Sequence, residues 1–371
     1  MEKVKIIDFC NISNGFAFKS DKYISENGAR VIRITNVQKG KIVDNDPKLY
    51  PFSELDKLEA YKIFEGDILM SLTGNVGRVG RFPKELLPAY INQRVCRVMP
   101  KNEKLDTNFL FHFLNSDVFE NEAIKNSAGA AQLNLSTKWL GDFEIPLPNL
   151  ATQQRIATIL DQADAIIQNN RAIVQKYDAL TQSLFLDMFG DPVKNEKGWE
   201  KKKLGIVTNM KAGKFIAASD IFSENSNEMF PCYGGNGLRG FVKSNTHEGE
   251  FVLIGRQGAL CGNVKVTNGK FHATEHAIVC SPIMKYQTLW LYYLLKMMNL
   301  NRFATGAAQP GLNVGTLVDL EIMIVPYDIQ NQFAERVAVI EAQKQQAQLE
   351  LAKSEELFQS LLQRAFKGEL N

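Results

Sequence analysis

The sequence predicts an α+β protein in which two related globular domains alternate with two long helices that pair as an antiparallel coiled coil. Three observations carry this prediction: the chain contains itself twice, its globular portions are built from short β-type runs, and two long segments repeat apolar residues at heptad spacing. The repeat is read most directly from Gly129-Ala130-Ala131-Gln132, which returns as Gly306-Ala307-Ala308-Gln309 at an offset of 177. Each copy runs through Leu-Asn (133–134 and 312–313) into an apolar strand, 143–148 or 320–326, and then into a helix start containing Gln153-Gln154 or Gln330-Asn331-Gln332. Upstream, Gly66-Asp67-Ile68-Leu69-Met70 resembles Gly249-Glu250-Phe251-Val252-Leu253, and Asn92-Gln93-Arg94 falls where Thr274-Glu275-His276 lies at an offset of 182. The drift in offset implies loop insertions. Several blocks in one order at nearly one spacing argue against chance similarity.

In chain order the expected parts are a first domain over 1–150, a helix over 151–190, a linker over 191–197, a second domain over 198–327 and a helix over 328–371. The domains carry runs such as Val31-Ile32-Arg33-Ile34, Phe251-Val252-Leu253-Ile254 and Ala277-Ile278-Val279-Cys280, punctuated by Gly, Asn and Pro. Segments 151–188 and 329–367 contain neither Gly nor Pro. In the first, Ile156, Ala163, Asn170, Tyr177 and Leu184 lie seven apart, with Ile159, Ile166, Ile173 and Leu180 three residues after the first four, an a/d seam. In the second, the seam is Val337, Ile340, Ala347, Leu351, Phe358, Leu361 and Ala365, interrupted by polar Lys344 and Ser354. A 38-residue helix rises about 57 Å and needs a partner for its apolar stripe. The other helix of the same chain is the expected partner, antiparallel, which would place the globular domains at opposite ends with Asn170 helping to fix register; the alternative is that each helix folds back on its own domain. Phe189-Gly190-Asp191-Pro192 ends the first helix.

Composition narrows the function. The 371 residues are 45% hydrophobic and 23% charged, with 43 Lys+Arg against 41 Asp+Glu, so nucleic-acid contact must come from local patches. No segment reads as a signal peptide or membrane span, and a soluble, cytoplasmic protein is expected. Five widely spaced cysteines, Cys10, Cys96, Cys232, Cys261 and Cys280, argue against a disulfide framework or structural zinc site. Gly235-Asn236-Gly237-Leu238-Arg239-Gly240 matches a dinucleotide-loop string, but no helix follows it. His272-Ala273-Thr274-Glu275-His276 matches H-x-x-E-H, yet its surroundings are β-type, where alternation puts His272, Thr274 and His276 on one strand face. With no nucleotide-binding, nucleophile-elbow or methyltransferase motif, neither an active site nor a cofactor is expected.

The Gly-rich loops instead carry side chains suited to base edges and phosphates. In the first domain these are Asn14, Phe16 and Lys19; Arg33, Thr35 and Asn36; Thr73, Asn75 and Arg78; and Gln93 with Arg94. In the second they are Tyr233, Asn236 and Arg239; Arg256 and Gln257; and Thr274, Glu275 and His276. Residues 191–327 hold 15 basic and 11 acidic side chains, whereas 151–190 and 328–371 are net −1 and −2, which suggests protein-facing rods.

On Asn14-Gly15-Phe16-Ala17-Phe18-Lys19-Ser20, Val31 to Val37, Gly66 to Met70, Thr73-Gly74-Asn75-Val76-Gly77 and the two Gly-Ala-Ala-Gln loops, the chain resembles the specificity subunits of type I restriction-modification systems over essentially its whole length. The resemblance implies a non-catalytic subunit with two target recognition domains, each reading one half of a split double-stranded DNA target. It implies coiled-coil helices that space the domains and dock two methyltransferase (modification) subunits, with restriction/translocase subunits as further partners and no membrane. The second domain departs from the first at Phe230 to Gly237 and Gly255 to Gly258, so the half-sites should differ. The alternative class is a coiled-coil scaffold whose globular ends bind protein or carbohydrate.

Overall fold

The computed structural model describes residues 2–127, 133–226, 228–258, 260–306 and 310–370. The Gly-Ala-Ala-Gln loops, apart from Gly306, lie outside them. The chain divides into two compact units, one of 1–170 with 350–371 and one of 171–349, so each unit takes in part of both long helices.

The first unit is built on a six-stranded sheet in the order Cys10–Asn14, Val95–Pro100, Ile68–Ser71, Val79–Arg81, Gly40–Ile42, Val37–Gln38. Beside it stands a three-stranded sheet in which Gly28–Ile32 runs parallel to Ala89–Ile91. The second unit repeats this plan. Thr208–Ala212, Ala277–Pro282, Phe251–Gly255 and Val264–Thr267 form the principal sheet, and Phe230–Gly234 runs parallel to Lys270–Ala273 in a second one. An antiparallel ribbon closes each unit's base, Lys3–Lys5 on Glu144–Pro146 in the first and Glu200–Lys203 on Glu321–Ile324 in the second. The segments after the recurring Leu-Asn therefore become strands because their partner is the start of their own unit.

The recurring glutamine of each helix start has a defined task. Gln153, 1% exposed, accepts from Asp106 N at 2.8 Å and donates to Lys104 O and Pro148 O, both at 2.9 Å. Gln330, 3% exposed, accepts from Gln287 N and donates to Val325 O, each at 2.8 Å. A buried amide must find such partners, and here they tie the first turn of each long helix to the same sheet-to-helix loop.

The long helices run Leu150–Phe189 and Tyr327–Lys367. They end at Gly190 and Gly368, whose φ of +79° and +83° only glycine adopts without strain. In the first unit Ile156, Ala157 and Leu160 share a core with Leu362 and Ala365, while Asn170 Nδ2 donates to Ser354 Oγ at 3.2 Å. In the second, Lys344 Nζ meets Asp178 Oδ1 at 2.7 Å, and Phe185 packs edge-on to Phe333 at 5.6 Å. Within each unit the pairing is antiparallel. The polar interruptions at Lys344 and Ser354 are thus matched across the pair, and Asn170 has the cross-helix partner that a register-setting residue requires.

One column of the expected seam is corrected. Ile156 and Ala163 are buried, but Ile166, Ile173 and Leu180 are 52%, 42% and 49% exposed. The buried second column lies one residue later, at Leu160, Ile167 and Thr181, with half-buried Val174 between them. The seam therefore alternates steps of four and three from Ile156. In the second helix Val337 and Ala365 are buried and Ile340, Ala347, Leu351, Phe358 and Leu361 half-buried, while the buried leucine of its last turns is Leu362, one residue after the expected Leu361. Among the described residues no helix is long and apolar enough to cross a membrane.

Beside the first helix, His112 is 3% exposed and its Nε2 lies 2.7 Å from Asp161 Oδ1. Asn108 donates to the other oxygen of Asp161 at 2.8 Å. Burial pushes the His112 imidazole below its ordinary value, and the Asp161 carboxylate pulls only partly the other way.

Two outcomes follow. Ile167→Ala should lose about 2–5 kcal/mol in denaturant unfolding, whereas the neighbouring Ile166→Ala should stay within about 0.5 kcal/mol, since only the first opens a cavity. Because the unfolded chain protonates His112 more readily than the folded one, stability should fall as pH drops below about 6.5. His112→Gln should flatten that part of the pH profile measured by chemical unfolding.

Candidate nucleic-acid interface

In each unit four strand ends meet at one edge of the principal sheet, and backbone hydrogen bonds lash the loops leaving them into one cluster. In the first unit Phe16 N donates to Ile91 O at 2.8 Å, Gln93 N to Phe16 O at 2.9 Å, and Leu72 N to Arg94 O at 2.9 Å. In the second, Lys214 N donates to Ala273 O at 2.8 Å and Arg256 N to His276 O at 2.9 Å. Leu135 N to Leu72 O at 2.7 Å is matched by Leu312 N to Arg256 O at 2.8 Å. These bonds set Leu72, Thr73 and Arg94 opposite Arg256, Gln257 and His276 as equivalent positions. Gly15 and Gly213 are equivalent too: a Cβ on either would stand 2.2 Å from a carbonyl oxygen, of Asn92 or of Ala273. Glycine is required there by close backbone approach.

On the first edge Asn14, Lys19, Asn75, Gln93 and Arg94 are exposed. Thr73 donates to Asn134 Oδ1 at 3.3 Å, and Arg78 Nη1 donates to Gln38 Oε1 at 2.7 Å. The turn holding Arg33, Thr35 and Asn36 also reaches this edge, since Ile34 stands 3.7 Å from where a Gly74 Cβ would be. Thr35 is exposed, but Arg33 Nη2 is held by Asp46 O at 2.8 Å and by its carboxylate at 3.3 Å. Hydrogen bonds from Lys48 and then Arg33 keep Asp46 below the usual carboxylate range.

Asn36 is corrected. It is 4% exposed, accepts from Arg33 N at 2.9 Å and donates to Val43 O at 2.9 Å, so it shapes the turn and presents nothing outward. Phe16 is likewise half-buried, edge-on to Phe18 at 5.2 Å and tilted on Tyr61 at 5.4 Å, a member of an aromatic cluster.

On the second edge Asn236, Arg239, Gln257 and His276 line one groove with Leu260. Asn263 Nδ2 holds Asn236 Oδ1 at 2.8 Å. His276 is bracketed, Nδ1 on Gln257 Oε1 at 2.9 Å and Nε2 on Glu275 Oε1 at 3.0 Å. Arg256 is half-buried and has no side-chain partner among the described residues. Thr274 is corrected: it is fully buried, and its hydroxyl accepts from His276 N at 3.4 Å. Tyr233 is a half-buried strand residue, edge-on to Phe271 at 5.9 Å.

The two enzyme-like strings resolve locally. Gly235 to Gly240 forms the turn and second strand of the hairpin Phe230–Gly234 with Gly237–Val242. The H-x-x-E-H string does not share one strand face, because the strand ends at Ala273 and Thr274 begins a turn closed by Ala277 N. His272 turns its Nε2 to Lys214 O at 3.2 Å, while His276 enters the groove. Sequence reading missed Lys214 and Phe215, the counterparts of Phe16 and Ala17; Phe215 is 77% exposed beside the groove's sheet edge. Carrying the repeat through Gly15 onto Gly213 is the signal that finds them.

The family model described as "Type I restriction modification DNA specificity domain" matches residues 1–176 and again 196–351. The chain is 34% identical over 278 residues to the type I restriction enzyme EcoprrI specificity subunit of Escherichia coli, an alignment covering 71% of this chain and 68% of that one. It is 23% identical to the Escherichia coli EcoBI specificity subunit, over 99% of this chain and 86% of the relative. Its fold is similar to a type I restriction-modification S subunit from M. genitalium, at a TM-score of 0.60 and 19% identity over 98% of this chain and 96% of the other. With the model matched twice across most of its length, the chain belongs to the type I restriction-modification DNA specificity family.

Proposed function

We propose that this chain is the sequence-specific DNA-recognition subunit of a type I restriction-modification complex, with target recognition domains over 1–150 and 198–327 that each read one half of a bipartite duplex. The observation that carries the reading is the pair of equivalent loop clusters: one backbone hydrogen-bond scheme, repeated in two units, presents two different sets of polar side chains. A common platform with different letters is what a split target requires. In the first unit Arg94, Gln93, Asn75, Asn14 and Lys19 form the reading surface, and in the second Asn236, Arg239, Arg256, Gln257, Glu275 and His276 do so.

The remaining parts of the reading follow from family membership. The helices of 151–190 and 328–371 dock two modification subunits, which supply adenine methylation, and restriction/translocase subunits join that complex. The exposed apolar residues Ile166 in one unit, and Ile173, Leu180 and Val339 in the other, give such partners a surface to cover. The chain itself performs no chemistry, and its ligand places it in the cytoplasm. No observation favours the scaffold alternative.

The test is a binding selection on randomised duplexes with the full chain assembled with its modification subunits. The expected result is a two-part motif and an affinity that falls steeply with salt, the logarithmic slope growing by about 0.9 per phosphate contact. Arg94→Ala should relax or weaken recognition of the first unit's half-site and leave the other half of the motif unchanged. A salt-insensitive interaction, no selected motif, or methyl transfer by the isolated chain would overturn the reading.

A further inference from the structure

Next to Gln257 stands an exposed leucine that the packing of its loop does not require. Leu260 is 53% exposed and lines the groove with Asn236, Arg239, Gln257 and His276. The loop closes by Gly262 N donating to Gly255 O at 2.8 Å, as its counterpart closes by Gly77 N donating to Ser71 O at 3.0 Å. The core anchor of each loop is the residue just before that glycine, Cys261 or Val76, 1% and 2% exposed. The residue before the anchor is Leu260 in one unit and exposed, polar Asn75 in the other. The counterpart loop, one residue shorter, closes with an amide just before its anchor, so the leucine's apolar surface belongs to what the groove receives.

The neighbouring amide is anchored at one end. The His276 ring lies between Glu275 and Gln257, its Nδ1 2.9 Å from Gln257 Oε1. A single such contact leaves Gln257 both an N–H to donate and an oxygen lone pair to accept. A donor and an acceptor side by side match the major-groove edge of adenine, whose N7 accepts and whose N6 donates. In an A·T pair the thymine C5-methyl lies beside that edge, and an apolar side chain is its complement.

We infer that the second unit reads an A·T base pair in its half-site, Gln257 taking the adenine edge and Leu260 the thymine methyl. The inference rests on the DNA-recognition reading above and assigns the chemistry of one of its positions. The experiment uses the same full complex and its selected duplex, replacing each thymine of the second unit's half-site in turn by deoxyuridine, which lacks only the methyl group.

At one position the wild-type complex should lose about three- to five-fold in affinity, the worth of one buried methyl-sized group. Leu260→Ala and Leu260→Asn should show no loss there, and the asparagine variant, which copies the first unit's residue, guards against misfolding. Replacing the paired adenine by 7-deazaadenine should weaken the wild type about ten-fold and Gln257→Ala hardly at all. If wild type tolerates deoxyuridine everywhere in that half-site, or if the Leu260 variants keep its full sensitivity, the inference fails while salt-dependent, motif-specific binding stands. If the wild type shows no motif at all, the DNA-recognition reading fails and takes the inference with it.

Discussion

Everything at the sheet edges depends on a shared core. In the first unit the sheet and its helices Thr107–Leu114 and Thr137–Asp142 bury Phe109, Phe113 and Leu140 against Ile156, Leu160, Leu362 and Ala365 of the helix pair. In the second, Trp290, Leu294 and Leu204 pack on Phe185, Phe189, Phe333 and Val337. Neither the sheet nor the helices could bury these faces alone, because the apolar face of one layer is buried only when a second layer packs on it. The helices are therefore part of each unit's interior, and the loops at the far edge of the sheet inherit a rigid base. That rigidity is what a recognition surface needs if its side chains are to meet base edges without reorganising.

How far the helices were legible in sequence depends on how many columns compete. In the second helix the expected column is buried or half-buried through Lys344 and Ser354, and only at Leu361 and Leu362 do two adjacent residues compete, the second being the buried one. In the first, two columns one residue apart both qualify: Ile159, Ile166, Ile173 and Leu180 against Leu160, Ile167, Val174 and Thr181. Periodicity favours the more apolar set, and packing selects the other, because the column after Ile156 and Ala163 faces the partner only at a step of four. Asn170 is read correctly either way, since it lies on the shared column and finds Ser354.

The site was legible as loops and only partly as side chains. Glycine flanking identified the turns at 73–78, 234–240 and 256–258, and the repeat offset identified the one at 92–94. It did not separate an amide or hydroxyl that faces outward from one that holds its own turn: Asn36 and Thr274 have the composition of ligand-binding residues and the burial of structural ones. Half-buried Phe16 is undecided for a similar reason, because an aromatic beside a glycine fits a stacking platform and a small core equally well. Lys214 and Phe215 escaped because, of Asn14-Gly15-Phe16 and Ala212-Gly213-Lys214, only the glycine is common. What the two copies retain there is backbone geometry, which a comparison of side-chain letters barely registers.

That division between retained backbone and free side chains is the central consequence of the duplication. At the four equivalent positions the first unit carries Leu72, Thr73, Asn75 and Arg94, and the second carries Arg256, Gln257, Leu260 and His276. No residue is shared by the four pairs, and in two of them an apolar side chain stands where the other unit has a charged or amide one. Yet the bonds from Leu72 N to Arg94 O and from Arg256 N to His276 O are the same length, 2.9 Å. The turns are fixed by glycines and main-chain groups, which do not depend on the neighbouring side chains, so those side chains can be exchanged at little cost to the fold. A protein whose surface must vary while its framework must assemble with fixed partners meets both demands by placing the variation where no framework bond needs a side chain. Leu72 marks the limit of that freedom: it is 6% exposed and packs in the core, where its counterpart Arg256 is half-buried, so this one position can be traded only if the groove around it changes too.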